Sequence, residues 1–243
     1  MAAKTTYPHF VDPQDVDFTL RASISHLIAK TLNVAGVDAD SKGFGIRELK
    51  PQNRSWVLSR MAIEISHRPR EYTPYNITTW VSDYGRAMST RNFVLGCEGE
   101  VFGSATTQWS MIDFKTRKMV DLLKTTKLAD HVVTTQKELF TMDKPKRVDY
   151  KGDGDAILTH HVVVSDIDMN QHVNSMKYLQ WAIDTLSLDD IMNTTIKRLD
   201  INYLREALYD QNIQIHCEPV KNVRKFELRN EEGIACCRIQ LNM

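Results

Sequence analysis

Ile157-Leu-Thr-His-His-Val-Val-Val164 leads into Ser165-Asp-Ile-Asp-Met-Asn-Gln-His-Val-Asn174, which leads into Ser175-Met-Lys-Tyr-Leu-Gln-Trp-Ala-Ile-Asp-Thr-Leu-Ser-Leu188. The first segment is short and β-rich, as strands are. The last carries Met176, Leu179, Ala182, Ile183 and Leu186 at helical spacing, which predicts an amphipathic helix over 175–188. Asn174 stands where that helix needs an N-cap. Four short β-rich segments follow, Thr195 to Tyr203, Asn212 to Glu218, Val223 to Asn230 and Ile234 to Leu241, with only turn-sized gaps between them. A strand, one helix and a meander of strands predict an α+β module in which an antiparallel sheet wraps the helix.

The first half follows the same plan. Ile24, Leu27, Ile28, Thr31, Leu32 and Ala35 recur at helical spacing, which predicts a helix from Ala22 to Ala35 with Gly36 as its cap. Ser55 to His67, Asn76 to Asp83, Thr90 to Cys97 and Val101 to Asp113 then read as strands. No residue-level repeat is visible between the halves; they share only the order of elements. The division expected is 1–125 for one module, 126–150 for a polar connector over the surface, and 151–243 for the second module. Side by side, two such modules would form an internal pseudo-dimer that satisfies strand edges. An ordinary α+β domain with two helices stays open on pattern alone.

Composition narrows the function. Lys plus Arg (31) equals Asp plus Glu (31), so no global basic excess points to nucleic acid or to an anionic membrane. No apolar run approaches the length of a membrane span, and the beginning lacks a secretory apolar stretch, so a cytoplasmic location is expected. Cys97, Cys217, Cys236 and Cys237 include an adjacent pair and no metal-type spacing, and read as reduced, mostly buried residues.

The chemistry-bearing candidates lie in the opening stretch. A turn before a helix faces the free N–H groups of the first helical turn, where an oxyanion can bind. Asp168, Asn170 and His172 bring a carboxylate, an amide and an imidazole to that place. Asp, Asn and Ser also occupy such turns merely because they cap and bend the backbone, and on the residues alone that reading stays open. Metal ligation has less behind it, since no second His/Asp cluster completes a shell.

Asp166-Ile-Asp-Met-Asn-Gln-His-Val-Asn-Ser-Met-Lys-Tyr178 with Trp181 resembles the signature of the acyl-acyl-carrier-protein thioesterases of plant plastids and their bacterial relatives. Gly43-Phe-Gly45, Trp56-Val-Leu-Ser-Arg-Met61, Thr79-Trp-Val-Ser82 and Leu199-Asp-Ile-Asn-Tyr-Leu-Arg-Glu206 resemble it in order and approximate spacing, so the likeness extends from about Phe18 to Leu241. The resemblance implies a double hot-dog fold. It places the catalytic residues at Asp168, Asn170, His172 and Glu206 in the second half, and makes the first half shape the acyl pocket. Met61, Ala62 and Trp80 are the pocket residues expected there, with alternation turning only one of Met61 and Ala62 inward. The first half reads Leu20-Arg-Ala-Ser-Ile-Ser-His26 where the second has its motif, and His26 is expected to be structural. Many plant members carry a cysteine after the glutamate; Ala207 stands there in this chain, which favours water chemistry over a thiol nucleophile.

The expected activity is therefore hydrolysis of fatty acyl thioesters of acyl carrier protein, a step of fatty acid synthesis, with no cofactor and no metal. The expected partner is the acylated carrier protein, not nucleic acid or membrane, and a homodimer is left open. Because the carrier is acidic, Arg68 with Arg70, Lys115 with Arg117 and Lys118, and Lys144 with Lys146 and Arg147 are candidate docking clusters. The competing readings are an acyl-coenzyme A thioesterase, a hot-dog hydratase or dehydratase, against which the motif argues, and a non-catalytic acyl-binding module.

Overall fold

The computed structural model describes residues 3–125, 127–133, 142–193 and 196–243, and the chain divides into two compact units, Met1–Pro145 and Lys146–Met243. The first unit runs β1 (Thr5–Phe10), α1 (Ile24–Ser41), a short α2 (Ile46–Leu49), β2 (Arg54–Ile65), β3 (Pro74–Tyr84), β4 (Ser89–Cys97), β5 (Glu100–Asp113) and a short α3 (Leu122–Thr125). The second runs β6 (Leu158–His161), α4 (Ser175–Ile183), α5 (Leu188–Asn193), β7 (Arg198–Tyr203), β8 (Asn212–Val220), β9 (Val223–Arg229) and β10 (Ala235–Asn242).

The named strands of each unit pair antiparallel. In the first, the strands lie in the order β1-β3-β4-β5-β2. In the second, the order is β6-β8-β9-β10-β7. Matching first strand to first strand and so on, the two orders are the same. Each unit also inserts its main helix between its first and second strands. The register agrees as well, since Phe10 faces Pro74 at the end of β1 and His161 faces Asn212 at the end of β6.

The helices form where apolar periodicity demands and end where the backbone turns. In α1, Leu27, Ile28, Val34 and Ala35 are buried, as are Leu179 and Ala182 in α4. Each fully buried Leu or Ile contributes about 1.5–3 kcal/mol. The first helix starts at the N-cap Ser23, whose side chain accepts from the His26 N–H. It does not stop at Gly36. It continues to Ser41, because Asp38 and Ala39 are buried on the same face, and it ends at Gly43, whose φ of 75° is the left-handed geometry that glycine supplies. The predicted helix over 175–188 is interrupted after Ile183, with α5 separate. In the second unit, the strand predicted from Ile157 stops at His161 and gives way to a 3-10 turn at Val164–Asp166.

Asp38 has a fully buried carboxylate, 2.5 Å from the Arg91 guanidinium on β4 and 2.8 Å from Lys42 Nζ, and it accepts from the Tyr7 hydroxyl at 3.2 Å. Burial pushes its pKa up, and Arg91 and Lys42 outweigh that and hold it below the ordinary carboxylate value.

Of the expected connector, residues 126 and 134–141 lie outside the described residues, as does Thr195 of the strand predicted from it. The described part of the connector is not simply a surface strap. The Lys146 and Val148 N–H groups donate to Asp200 and Asn202 of β7 at 2.8 and 2.7 Å, and Val148 and Tyr150 are buried. Among the described residues, no helix is long and apolar enough to cross a membrane.

Candidate active site

The turn between β6 and α4 is built by its own backbone. Asp168 N–H donates to His172 C=O at 2.8 Å, Gln171 N–H to Asp168 C=O at 3.0 Å, and Asn174 N–H to Asp166 C=O at 2.8 Å. Gln171 takes a φ of 65° to close the turn. Asp168 Oδ1 accepts from the Asn170 N–H at 2.8 Å and from the His172 N–H at 3.4 Å, which fixes one carboxylate oxygen and orients the other. Asn174 caps α4 by accepting from the Met176 N–H, and the Lys177 N–H donates to Asn174 C=O, so Ser175 supplies the remaining early N–H of that helix.

Glu206 comes from the strap after β7. Its Oε2 lies 3.3 Å from His172 Nε2, with the two side chains 38% and 22% exposed. His172, Glu206 and the Asp168 turn are thus brought together. Asn170 joins through its backbone N–H, and the residue is exposed. Among the described residues, no group of His, Cys, Asp and Glu is placed to hold a metal.

Asp166 anchors the turn from below. Its buried carboxylate accepts from the Val163 N–H at 3.0 Å and lies 2.8 Å from His160 Nε2 and 3.2 Å from Lys177 Nζ. Burial raises its pKa, and these three partners outweigh the effect and hold it low. His160 in turn stacks on Trp181, with ring centroids 4.2 Å apart. The sequence reading did not single out His160 and Lys177, since nothing in their spacing ties them to Asp166.

Met61, Ala62 and Trp80 are all buried in the first unit. Alternation does not separate the first two. Met61, Ala62 and Ile63 are buried in succession, just past a register shift between Leu58 and Arg60. Of the basic clusters, Arg68 is committed to its own unit, pairing with Asp17 and donating to Ala22 C=O at 3.1 Å. Lys144 lies 3.3 Å from Asp83.

A residue-level repeat does exist, and it falls on this turn. The first-unit counterpart is Asp15-Val-Asp-Phe-Thr-Leu-Arg-Ala-Ser23, earlier in the chain than Leu20–His26. Asp17 N–H donates to Arg21 C=O, Leu20 N–H to Asp17 C=O and Ser23 N–H to Asp15 C=O, each matching a bond of the second turn. Leu20 has a φ of 57°, as Gln171 has 65°. Asp17 thus answers to Asp168, Thr19 to Asn170, Arg21 to His172, and on the strap Arg68 answers to Glu206. His26 sits on α1 with Nδ1 2.9 Å from Asp15 Oδ1.

A helix inserted after the first strand of an antiparallel sheet, repeated once along the chain, defines a double hot-dog protein. Residues 3–127 match the acyl-ACP thioesterase N-terminal domain, and residues 151–242 match the C-terminal domain. The chain belongs to the acyl-ACP thioesterase family. A solved acyl-ACP thioesterase from Bacteroides thetaiotaomicron is 30% identical, with a TM-score of 0.91 over 98% of this chain and 97% of that one. A chloroplastic palmitoyl-acyl carrier protein thioesterase from Arabidopsis thaliana is 27% identical over 82% of this chain, which spans 50% of that protein's length. A chloroplastic oleoyl-acyl carrier protein thioesterase from Coriandrum sativum is 24% identical over 84% of this chain and 60% of its own length.

Proposed function

We propose that this protein hydrolyses the thioester of fatty acyl-acyl carrier protein in the cytoplasm, releasing free fatty acid and ending chain growth. The observation that carries the reading is the His172–Glu206 pair beside the Asp168 turn, in a member of this family. Glu206 or Asp168 takes a proton from water, and the resulting hydroxide attacks the thioester carbonyl carbon. The Asn170 amide and the Ser175 N–H hold the oxyanion. As the C–S bond breaks, the pantetheine thiolate leaves and takes a proton through His172. No thiol of the protein takes part.

Residues 151–243 carry the chemistry in this reading, while residues 1–125 contribute Met61, Ala62 and Trp80 to the acyl pocket. The clusters Lys115 with Arg117 and Lys118, and Lys144 with Lys146 and Arg147, supply positive charge for the carrier. The test is free-thiol release from matched acyl-carrier-protein and acyl-coenzyme A substrates. Faster turnover of the carrier substrate supports the proposal. Preference for the coenzyme A ester would make it an acyl-coenzyme A thioesterase, and turnover of neither would make it a binding module.

A further inference from the structure

The strap that carries Glu206 is held at Ala207 from both sides. Ala207 C=O accepts from the Val173 N–H at 2.9 Å, and Ala207 N–H donates to the Tyr178 hydroxyl at 3.1 Å. Tyr178 lies on α4 and is buried, its ring set edge-on to Trp181 and Tyr203. In the first unit only half of this arrangement is present. Ala22 N–H donates to Pro69 C=O at 2.8 Å, as Val173 does to Ala207. The other half is missing at both ends. Pro69 has no N–H to give, and Leu27, the counterpart of Tyr178 on α1, has no hydroxyl to receive it. The preceding strap residue there is Arg68, whose guanidinium pairs with Asp17.

Carboxylate, amide donor and hydroxyl acceptor are therefore present together in one unit and absent together from the other. The first unit folds without them, with Leu27 and Pro69 buried. The carbonyl-side bond belongs to the fold. The hydroxyl-side bond accompanies the carboxylate.

We propose that Tyr178 is a positioning residue for Glu206: its hydroxyl fixes the peptide plane between Glu206 and Ala207 and so aims the Glu206 carboxylate at His172. This rests on the reading of Glu206 as a catalytic group. A peptide free to rotate at Glu206 would move the carboxylate by an ångström or more, and misplacement on the order of 1 Å costs up to about a hundredfold in rate.

Tyr178→Phe removes the oxygen and keeps the ring. The expected result is a kcat reduced by about tenfold or more with KM little changed, and a displaced limb of the pH–rate profile, because the contact between the Glu206 carboxylate and His172 is altered. A second variant, Tyr178→Phe with Ala207→Pro, copies the first unit's solution and removes the orphaned N–H. It should recover the melting temperature lost by the single variant without recovering kcat. Recovery of both would make the hydroxyl merely structural and overturn the inference. So would a wild-type kcat and pH profile in Tyr178→Phe while Glu206→Gln is inactive. If Glu206→Gln itself turns over normally, the reading of Glu206 falls first. The double variant carries the kcat comparison alone if the single one is too unstable to assay.

Discussion

His172 Nε2 and Glu206 Oε2 meet at 3.3 Å although one belongs to the turn before α4 and the other to the strap after β7. An imidazole beside a partly exposed carboxylate can pass a proton without either group losing contact with water, which is what a hydrolytic site needs. Asp168 adds a second carboxylate whose orientation is set by N–H groups of the same turn.

The first prediction concerns these groups. Asp168→Asn, His172→Ala and Glu206→Gln should each lower turnover by at least about a hundredfold, the scale of losing a positioned acid, base or donor. Thiol release from the carrier substrate, on variants whose melting is cooperative, measures it. Near-normal turnover in any one removes that residue from the mechanism.

Replacing Cys97, Cys217, Cys236 and Cys237 with Ala should leave most activity in the folded variant. Burial pushes all four thiols above their ordinary pKa, away from the reactive thiolate. Alkylation sensitivity of the wild-type rate would contradict this.

Arg91→Met should destabilise the first unit by about 3–5 kcal/mol at neutral pH, since it takes from the buried Asp38 carboxylate one of the two cations that offset its burial. In the wild type, the folded pKa of Asp38 is depressed, so its stabilising contribution is complete above the unfolded value of about 3.9 and is lost as pH falls through the folded one. Without Arg91, one of the two cations that hold the folded pKa down is gone, so the stability difference between the two proteins should shrink on acidification as Asp38 becomes neutral. Urea midpoints of both proteins, compared between neutral and acidic pH, provide the check. A difference independent of pH would mean that the charge of Asp38 is not what Arg91 supports.

Met61→Ala, Ala62→Leu and Trp80→Phe should change chain-length preference more than the rate on the best substrate, because a methylene in an apolar pocket is worth about 1–3 kcal/mol. Since Met61 and Ala62 are both buried, each is expected to matter. A panel of carrier thioesters of increasing length reads the effect. An equal loss at every length, with the rank order unchanged, would count against a pocket lined by the first unit.

The strands of both meanders and the Asn174 cap were legible in the sequence because their signals are local: alternation, turn residues, one capping side chain. The edge strand β1 was not, since Pro8 interrupts Thr5–Phe10 and reads as a breaker, although an edge strand tolerates it. Gly36 looked like a helix stop because the feature that carries α1 past it, the buried pairing of Asp38 with Arg91, joins residues far apart in the chain. Asp168, Asn170 and His172 could be placed on the turn before the helix, while His160 and Lys177, which hold that turn through Asp166, could not, since nothing in their spacing ties them to it. The repeat of the turn was hidden by its side chains, since Thr19, Leu20 and Arg21 look nothing like Asn170, Gln171 and His172; Asp15-Val-Asp17 against Asp166-Ile-Asp168 is too short to signal it, and the backbone bonds establish the match.

That match separates the frame from its cargo. The same turn closes around Asp-Phe-Thr-Leu-Arg in one unit and Asp-Met-Asn-Gln-His in the other, so its shape is indifferent to most of the side chains it displays. A chain built this way can exchange the side chains that such a turn displays while the same backbone bonds close it. Engineering of the silent turn can accordingly proceed residue by residue, with cooperative melting as the only requirement at each step.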